Sequence, residues 1–351
     1  MTRAELEALV HEGEVVTGIH ARAQLARADL GGGTYEGADF TGADLSGASL
    51  REAIFINCIF TGADLARADL RDTQFNGGNL QQARLSGAKL EGAMLSRCEM
   101  EQASLDGCDL KMANLVQCKI AGASFAGATM FKISILECET AGVDFGGASC
   151  ERGTIMGADL RTANLAGARF FRSVLMKCNF AGRDLTEAQF PGCQLMESDL
   201  AGCDLSRANL AGAGFSKAKL DGARCDGARM AQCVLMDAQM GMASFRGTDL
   251  ANAVLSGADA TEADFAGARL YQAICVKLNA TRAKFNNCDM TYADLSHAVL
   301  ERADMSGTIL TRANLHAIND LNAFMPNRRQ ALPPDTDRAQ ADAWQNRWRS
   351  A

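Results

Sequence analysis

The sequence predicts an all-β solenoid of four-sided coils with a helical segment at each end. A large apolar residue recurs at nearly every fifth position from Leu25 to Leu315, without an insertion. A period of five matches neither the α-helical period of about 3.6 residues nor the strand period of about 2, so the chain must turn a corner in every repeat. Phenylalanines pair six times at a separation of 20 residues, as Phe40 and Phe60 do, against twice at a separation of 10. Four repeats therefore complete one coil.

The N-terminal segment departs from this period. Thr2 and Glu5 form a capping-box pattern, which predicts a short helix that ends near Gly13. An irregular first coil is expected from Val15 to His20. We assign residues 1–20 to a helical cap that covers the edge of the solenoid.

The repeat has a second regular feature. Two positions before each central apolar residue there is usually Ala, Cys, Gly, Ser or Thr. Examples are Ala63-Asp64-Leu65, Cys203-Asp204-Leu205 and Ala263-Asp264-Phe265. This pattern resembles the A(D/N)LXX motif of the pentapeptide-repeat family across residues 21–316. The resemblance implies a right-handed quadrilateral parallel β-helix of about 15 coils, in which the central residue and the small residue point inward.

The C-terminal segment, residues 317–351, is predicted to be a helical tail. The stretch Ala317–Phe324 is interpreted as a short helix, and a linker that contains prolines follows it. Asp335 or Thr336 is placed to cap a last helix.

All thirteen cysteines fall on inward positions of the repeat. Ten occupy the small position and three the central one. Buried cysteine packs as a small apolar residue, so we expect core filling and no metal site from Cys98, Cys118 and Cys138, which stack in neighbouring coils. Unpaired cysteines in this number indicate a reducing, cytoplasmic location.

No catalytic, cofactor or metal site is predicted. Aspartates such as Asp44 and Asp64 repeat along a smooth column, which offers no cleft for general acid–base chemistry, and a structural role is expected for them. The four histidines have neither metal-ligand spacing nor a nucleophile nearby. They are His11, His20, His297 and His316.

Charge decides little about the partner. The 35 basic and 42 acidic side chains give a formal charge of -7, with both signs mixed on every face, which disfavours nucleic acid. The sequence contains no run of 18 consecutive apolar residues, so no membrane span is predicted. Arg183 occupies a small inward position, for which the two interpretations are a local bulge at the corner and a functional role.

Large apolar residues concentrate on one outer face, centred on residues 35, 55, 75 and onward to 315. We call these fourteen outward residues the apolar stripe: Ile54, Ile56, Met94, Val116, Leu136, Met156, Val174, Met176, Met196, Val234, Met236, Val254, Ile274 and Val276. Such a surface favours a partner or dimer interface. The alternative is that these side chains flank a corner or lie under the C-terminal tail. The predicted partner-binding residues are Ile54, Ile56, Val116, Leu136, Met156, Met176, Met196, Met236, Val276, Trp344 and Trp348.

The function predicted is that of a non-enzymatic scaffold or adaptor. It would bind a protein partner, or a second copy in a homodimer, through the apolar stripe or the tail. The N-terminal helix followed by the array is similar to pentapeptide-repeat proteins found with bacterial type VI secretion spike components. The alternative, a DNA-mimicking binder of DNA gyrase, is also known in the family and needs a dense acidic face that the mixed charges do not provide.

Overall fold

The computed structural model describes residues 2–18, 22–333 and 335–349, with side chains described as far as residue 342. The chain divides into two compact units, residues 1–179 and 180–351. In both units, residues 20 positions apart pair in parallel from coil to coil. The predicted fold class, a parallel β-helix with a short helix at each end, is confirmed.

The corners of the coil follow from simple backbone chemistry. In most repeats the amide of the small residue donates to the carbonyl of the central residue three positions earlier, as in Ala48 to Leu45 at 3.0 Å. We call this a tight corner. The tight corner requires positive φ at the residue directly before the small residue. Glycine recurs at this position for that reason, as at Gly47 with φ of 63°. The central and small side chains then point inward and are buried.

The first helix, α1, covers the edge of unit 1. It spans Arg3–His11, and the predicted capping box is confirmed: Thr2 accepts from the Glu5 amide while the Glu5 carboxylate accepts from the Thr2 amide. The Glu7 carboxylate accepts the otherwise open Asp29 amide of the first coil at 2.9 Å. This contact pairs one of the backbone amides that the edge of the solenoid would otherwise leave unpaired. His20, at the end of the predicted irregular coil, lies outside the described residues.

Unit 1 builds true strands, nearly all on one face. The strands are β1 (Val15–Val16), β2 (Thr34–Glu36), β3 (Ile54–Ile56), β4 (Gln74–Asn76), β5 (Met94–Ser96), β6 (Asn114–Val116), β7 (Ser134–Leu136), β8 (Ser149–Glu151), β9 (Thr154–Met156), β10 (Arg169–Phe171) and β11 (Val174–Met176). Nine of them form one parallel sheet in the order β1-β2-β3-β4-β5-β6-β7-β9-β11, and β8 pairs with β10. After each of β2 to β10 the corner is a bend, which we call a wide corner, whereas Lys177 after β11 lies in a turn.

Unit 2 joins its coils by single parallel bridges, from Asp184 with Asp204 to Asp304 with Phe324. The predicted short helix at Ala317–Phe324 is wrong. Asn319 bridges Val299, so the coil continues through this segment. Asp320 stands where an apolar central residue is usual, yet its carbonyl accepts the Ala323 amide at 3.0 Å, as in any tight corner.

Two helical segments follow the last coil of unit 2. A 3₁₀ turn spans Arg328–Gln330, and the last helix, α2, spans Thr336–Arg349. The Asp335 carboxylate accepts the Arg338 amide at 3.0 Å, which confirms Asp335 as the cap. Among the described helices, none is long and apolar enough to cross a membrane.

Candidate interaction surface

Four residues of the apolar stripe form one uninterrupted row in unit 1. In the parallel register of β6, β7, β9 and β11, Val116 neighbours Leu136, Leu136 neighbours Met156, and Met156 neighbours Met176. All four follow an inward central residue, so they point outward because neighbouring strand residues alternate between faces. We call Val116, Leu136, Met156 and Met176 the unit 1 patch.

Ile54 and Ile56 are not part of this patch. They flank the buried Phe55 in β3, and the next strand places Gln74 and Asn76 beside them. The sequence therefore predicted the face of these two residues, while the register shows that polar side chains separate them from the row.

Unit 2 carries a second group. Val234, Val254 and Ile274 bridge in succession along three coils, and Met236 and Val276 lie on the same face after the central residues. We call these five residues the unit 2 patch. Met196 stands apart, because the following coil offers Ser216 at the equivalent position.

The stripe is neutral and partly exposed. On this face, every residue directly before or after the central residue is uncharged from Ile54 to Met176 in unit 1 and from Gln194 to Val276 in unit 2. None of the fourteen stripe residues is buried, and Met94 keeps 48 % of its surface exposed. They do not lie under any described element. Trp344 and Trp348, predicted to bind a partner, lie in α2, and their side chains are outside the described part.

The aspartates before the central residue shape the corners. The Asp44 Oδ1 atom accepts from the Ser46 amide at 3.0 Å and from the Ser46 hydroxyl at 2.6 Å, and Asp204 accepts from the Ser206 amide at 2.9 Å. These are Asx-type turns. Hydrogen bonds from the serines hold the pKa of Asp44 and of Asp204 below the ordinary range. Carboxylates held ionised in this way suit turns and do not suit general acids.

Charges pair along the columns. In unit 1, Arg84 contacts Asp64 at 2.7 Å and Lys119 contacts Glu99 at 2.9 Å, each one coil apart. In unit 2, ion pairs with the same spacing join Arg224 to Asp204, Arg269 to Asp249 and Arg282 to Glu262. A DNA-mimicking face would need unpaired carboxylates, and the carboxylates of these ion pairs are paired with basic side chains.

The cysteines are all free and buried, as predicted. Burial raises the pKa of Cys108 and of Cys233 to about 12, so these thiols are not nucleophiles at neutral pH. They are more than core filler, however. Cys118 Sγ donates to the Leu95 carbonyl of the preceding coil at 3.3 Å. The sequence gives the position of the thiols but not this bond.

Arg183 keeps a regular backbone. Its amide donates to the Phe180 carbonyl at 3.0 Å and its carbonyl accepts the Asp204 amide at 2.9 Å, the pattern of a tight corner. The predicted bulge is therefore absent from this corner, and the residue is half-buried.

Two histidines that sequence spacing dismissed come together with a carboxylate. His316 Nε2 lies 2.8 Å from Asp342 Oδ2, and His297 Nε2 lies 3.6 Å from the same oxygen. The ligand atoms of these three side chains all lie within 4.8 Å of one another. A separation of 19 residues in a 20-residue coil was the available signal, because it places His297 and His316 on adjacent coils.

A shallow depression of about 420 Å³ lies in unit 1. Its lining residues are Asn57, Ile59, Asn76, Gly77, Gly78, Asn79, Arg97 and Glu99. The depression is open to solvent, and we assign it no reaction.

The buried columns and regular coils define a parallel β-solenoid repeat protein. The pentapeptide repeat region model matches residues 28–105. The pentapeptide repeats model matches in eight copies, at residues 98–132, 155–192, 163–200, 173–212, 198–237, 213–250, 238–274 and 281–316. The chain belongs to the pentapeptide-repeat family.

Several solved structures are similar. QnrB1, a plasmid-mediated fluoroquinolone resistance protein, is 20% identical over 57% of this chain and 92% of its own, with a TM-score of 0.39. HetL, involved in heterocyst differentiation regulation in Nostoc sp. strain PCC 7120, is 20% identical over 93% of this chain and 98% of its own, with a TM-score of 0.20. A pentapeptide repeat protein of the Arabidopsis thaliana thylakoid lumen is 23% identical over 34% of this chain and 68% of its own, with a TM-score of 0.21. No curated protein matches the sequence significantly.

Proposed function

We propose that this protein is a non-enzymatic scaffold that binds another protein through the unit 1 patch. The observation that supports it is the unbroken row of four partly exposed apolar side chains on a rigid, uncharged sheet face. Removing this surface from water stabilises a complex, and the side chains are already held in place by the sheet. Methionine at two of the four positions suits adaptable contacts.

The non-enzymatic part of the proposal rests on the candidate chemical groups. The cysteines are buried, and the pKa of Cys108 is raised to about 12 by that burial. The repeated aspartates are engaged in turns, as Asp44 is with Ser46. Their use in the fold supports a surface function.

The partner is a second copy of this chain or a different protein. A homodimer would bring two identical patches together about a twofold axis, which is the commonest arrangement for identical chains. An adaptor would instead use the unit 1 patch for one partner and keep the unit 2 patch or the C-terminal tail for another.

Site-specific photo-crosslinking tests the proposal. Benzoylphenylalanine is introduced in place of Met156 and, as a matched control on another face of unit 1, in place of Ser124. We expect a discrete crosslinked product from the first position only, and we expect Leu136→Asp to abolish it. A product of twice the chain mass identifies a homodimer, and another mass identifies an adaptor. Equal products at both positions, or none at either, would overturn the proposal.

A narrower version assigns the scaffold to the cytoplasm of a bacterium, as an accessory of type VI secretion. The free cysteines support a reducing compartment, and the organisation of an N-terminal helix before the array supports the secretion role. Affinity purification of the full chain from cells that carry such a system tests it. Recovery of a spike component is expected, and it should be reduced by Leu136→Asp. Recovery of no secretion component contradicts this version and leaves the scaffold proposal to the crosslinking result.

A further inference from the structure

A compact cluster of metal-ligating side chains lies at the end of unit 2. His297 and His316 come from adjacent coils, and Asp342 comes from α2. Among the described side chains of α2, Asp342 makes the polar contact to the coils, with His316 at 2.8 Å. The cluster therefore sits where the last helix meets the repeat.

Contacts within the coils position the backbones of both histidines. The His297 amide donates to the His316 carbonyl at 2.9 Å, which locks the two residues side by side. The His316 amide donates to Asn314 Oδ1 at 3.1 Å, and the His316 side chain is only 8% exposed. The rings meet edge to face with centroids 5.4 Å apart. Because the two histidines are already held in place, the protein loses less conformational entropy when a ligand binds.

A hydrogen bond explains only half of this arrangement. The 2.8 Å separation of His316 Nε2 and Asp342 Oδ2 is an ordinary hydrogen bond. The 3.6 Å separation of His297 Nε2 from the same oxygen is too long for one. The ligand atoms of all three side chains nevertheless lie within 4.8 Å of one another, as the ligands of a single cation do.

We propose that His297, His316 and Asp342 bind a divalent transition-metal ion of the zinc class, which fastens α2 to the last coils. Zinc accepts imidazole nitrogen and carboxylate oxygen at about 2.0–2.2 Å, which places tetrahedral ligand atoms about 3.3 Å apart. The distances of 2.8 and 3.6 Å to Asp342 bracket this value. Two imidazoles favour zinc, cobalt or nickel over calcium and magnesium, which prefer oxygen ligands. Three protein ligands leave a further position for water.

Calorimetric titration of the chelator-treated full chain with Zn²⁺ tests the site. We expect one equivalent to bind, and we expect His297→Asn, His316→Ala and Asp342→Asn each to weaken binding by about 100-fold. Asparagine is chosen at residue 297 because it tolerates the positive φ of 60° found there. His11→Ala removes an exposed histidine of α1 and should leave binding unchanged.

Two further readouts separate this site from the thiols and from misfolding. Bound Co²⁺ should give visible absorption without a thiolate charge-transfer band, and Zn²⁺ should slow tryptic cleavage after Arg338 in the parent chain but not in Asp342→Asn. His297→Asn and Asp342→Asn alter exposed or half-exposed side chains, so their folding can be checked by circular dichroism. Unchanged Zn²⁺ affinity in both variants, or no binding to the parent chain, would overturn the proposal.

Discussion

Units 1 and 2 share one repeat and one 20-residue register but close the same corner differently. In unit 2 the corner after the stripe face is tight: the Ala238 amide donates to the Leu235 carbonyl at 3.1 Å, and Ala258 donates to Leu255 at 3.2 Å. In unit 1 the equivalent corner is wide after every strand of this face from β2 to β9, and these strands extend to three residues. A change at one corner thus decides whether a face is a sheet or a row of single bridges.

Side-chain donors accompany the wide corners. The central carbonyls of five wide corners each contact a cysteine thiol of the next coil at 3.3 to 3.7 Å, and these cysteines are Cys58, Cys98, Cys118, Cys138 and Cys178. In unit 2 the equivalent positions are Ser198, Ala218, Ala238, Ala258, Leu278 and Ala298. Because buried carbonyls need donors, the thiols supply what the amide supplies in a tight corner. The comparison teaches that cysteine is a bonding element of the unit 1 sheet.

The largest expected effect is that of Gly78→Ala in unit 1. Gly78 occupies the small position of a wide corner with φ of 101°, and an added Cβ would overlap the Cys58 carbonyl oxygen of the preceding coil. We expect a loss of about 3 kcal/mol in the free energy of unfolding, from overlap and backbone strain together. Chemical denaturation followed by circular dichroism measures it.

Gly222→Ala in unit 2 is the matched control for Gly78→Ala. Gly222 also has positive φ, 64°, but its added Cβ would meet nothing within 4 Å. Its cost is therefore the strain alone, about 1 kcal/mol. Equal losses for the two substitutions would show that the wide corner of unit 1 can relax, contrary to the comparison.

The second prediction concerns Leu278, the counterpart of Gly78 in unit 2. It is fully buried beside the small central residue Ala280, and its column neighbours are Ala258 and Ala298. Leu278→Ala should cost about 3 kcal/mol because it leaves a cavity. The double change Leu278→Ala with Ala280→Leu should recover most of this loss. If the double variant is less stable than the single one, local volume exchange does not govern this coil.

The third prediction compares two cysteines of unit 1. Cys118 follows a wide corner, whereas Cys108 lies in a tight one, where the Leu85 carbonyl that it contacts already accepts the Ala88 amide at 2.8 Å. Cys118→Ala should cost about 2 kcal/mol and Cys108→Ala about 1 kcal/mol, because only the first removes a needed donor. Cys118→Ser keeps a donor and should fall between them. If Cys118→Ala and Cys108→Ala lower the free energy of unfolding by the same amount, the hydrogen bond of Cys118 contributes nothing beyond core packing.

The sequence predicts the coil but not which of its corners are wide and which are tight. The five-residue period and the phenylalanine spacing fix which residues are inward, since only inward positions must be apolar. Cysteine is frequent at the small position of wide corners, but Ala38 and Ala158 also occupy it and Cys108 lies in a tight corner, so residue type alone does not distinguish the two kinds of corner. Backbone bonding distinguishes them, and the repeat pattern does not contain it. The wrong helix at Ala317–Phe324 has a related cause: the polar Asp320 interrupts the apolar period although the backbone of the coil continues.

The candidate site was predicted in part. Alternation around the central residue places Val116, Leu136, Met156 and Met176 on one face, and the structure then shows that they are contiguous. The metal-ligating cluster was missed because Asp342 belongs to a helix outside the repeat. Its approach to His316 depends on how that helix packs, which a periodic pattern does not specify.

The smallest expected effect tests positive φ on the outer corners. Met242 in unit 2 has φ of 55° and is 70% exposed, and the same column holds Gly202 and Gly222. Met242→Gly should raise the free energy of unfolding by about 0.5 kcal/mol, because relief of strain exceeds the entropy that glycine adds to the unfolded chain. Gln102→Gly in unit 1 relieves the same strain but removes the bond from Gln82 at 3.2 Å, so no net gain is expected. A gain at Gln102 equal to that at Met242 would show that the amide pair of unit 1 contributes nothing, whereas a gain at neither would place the strain elsewhere in the coil.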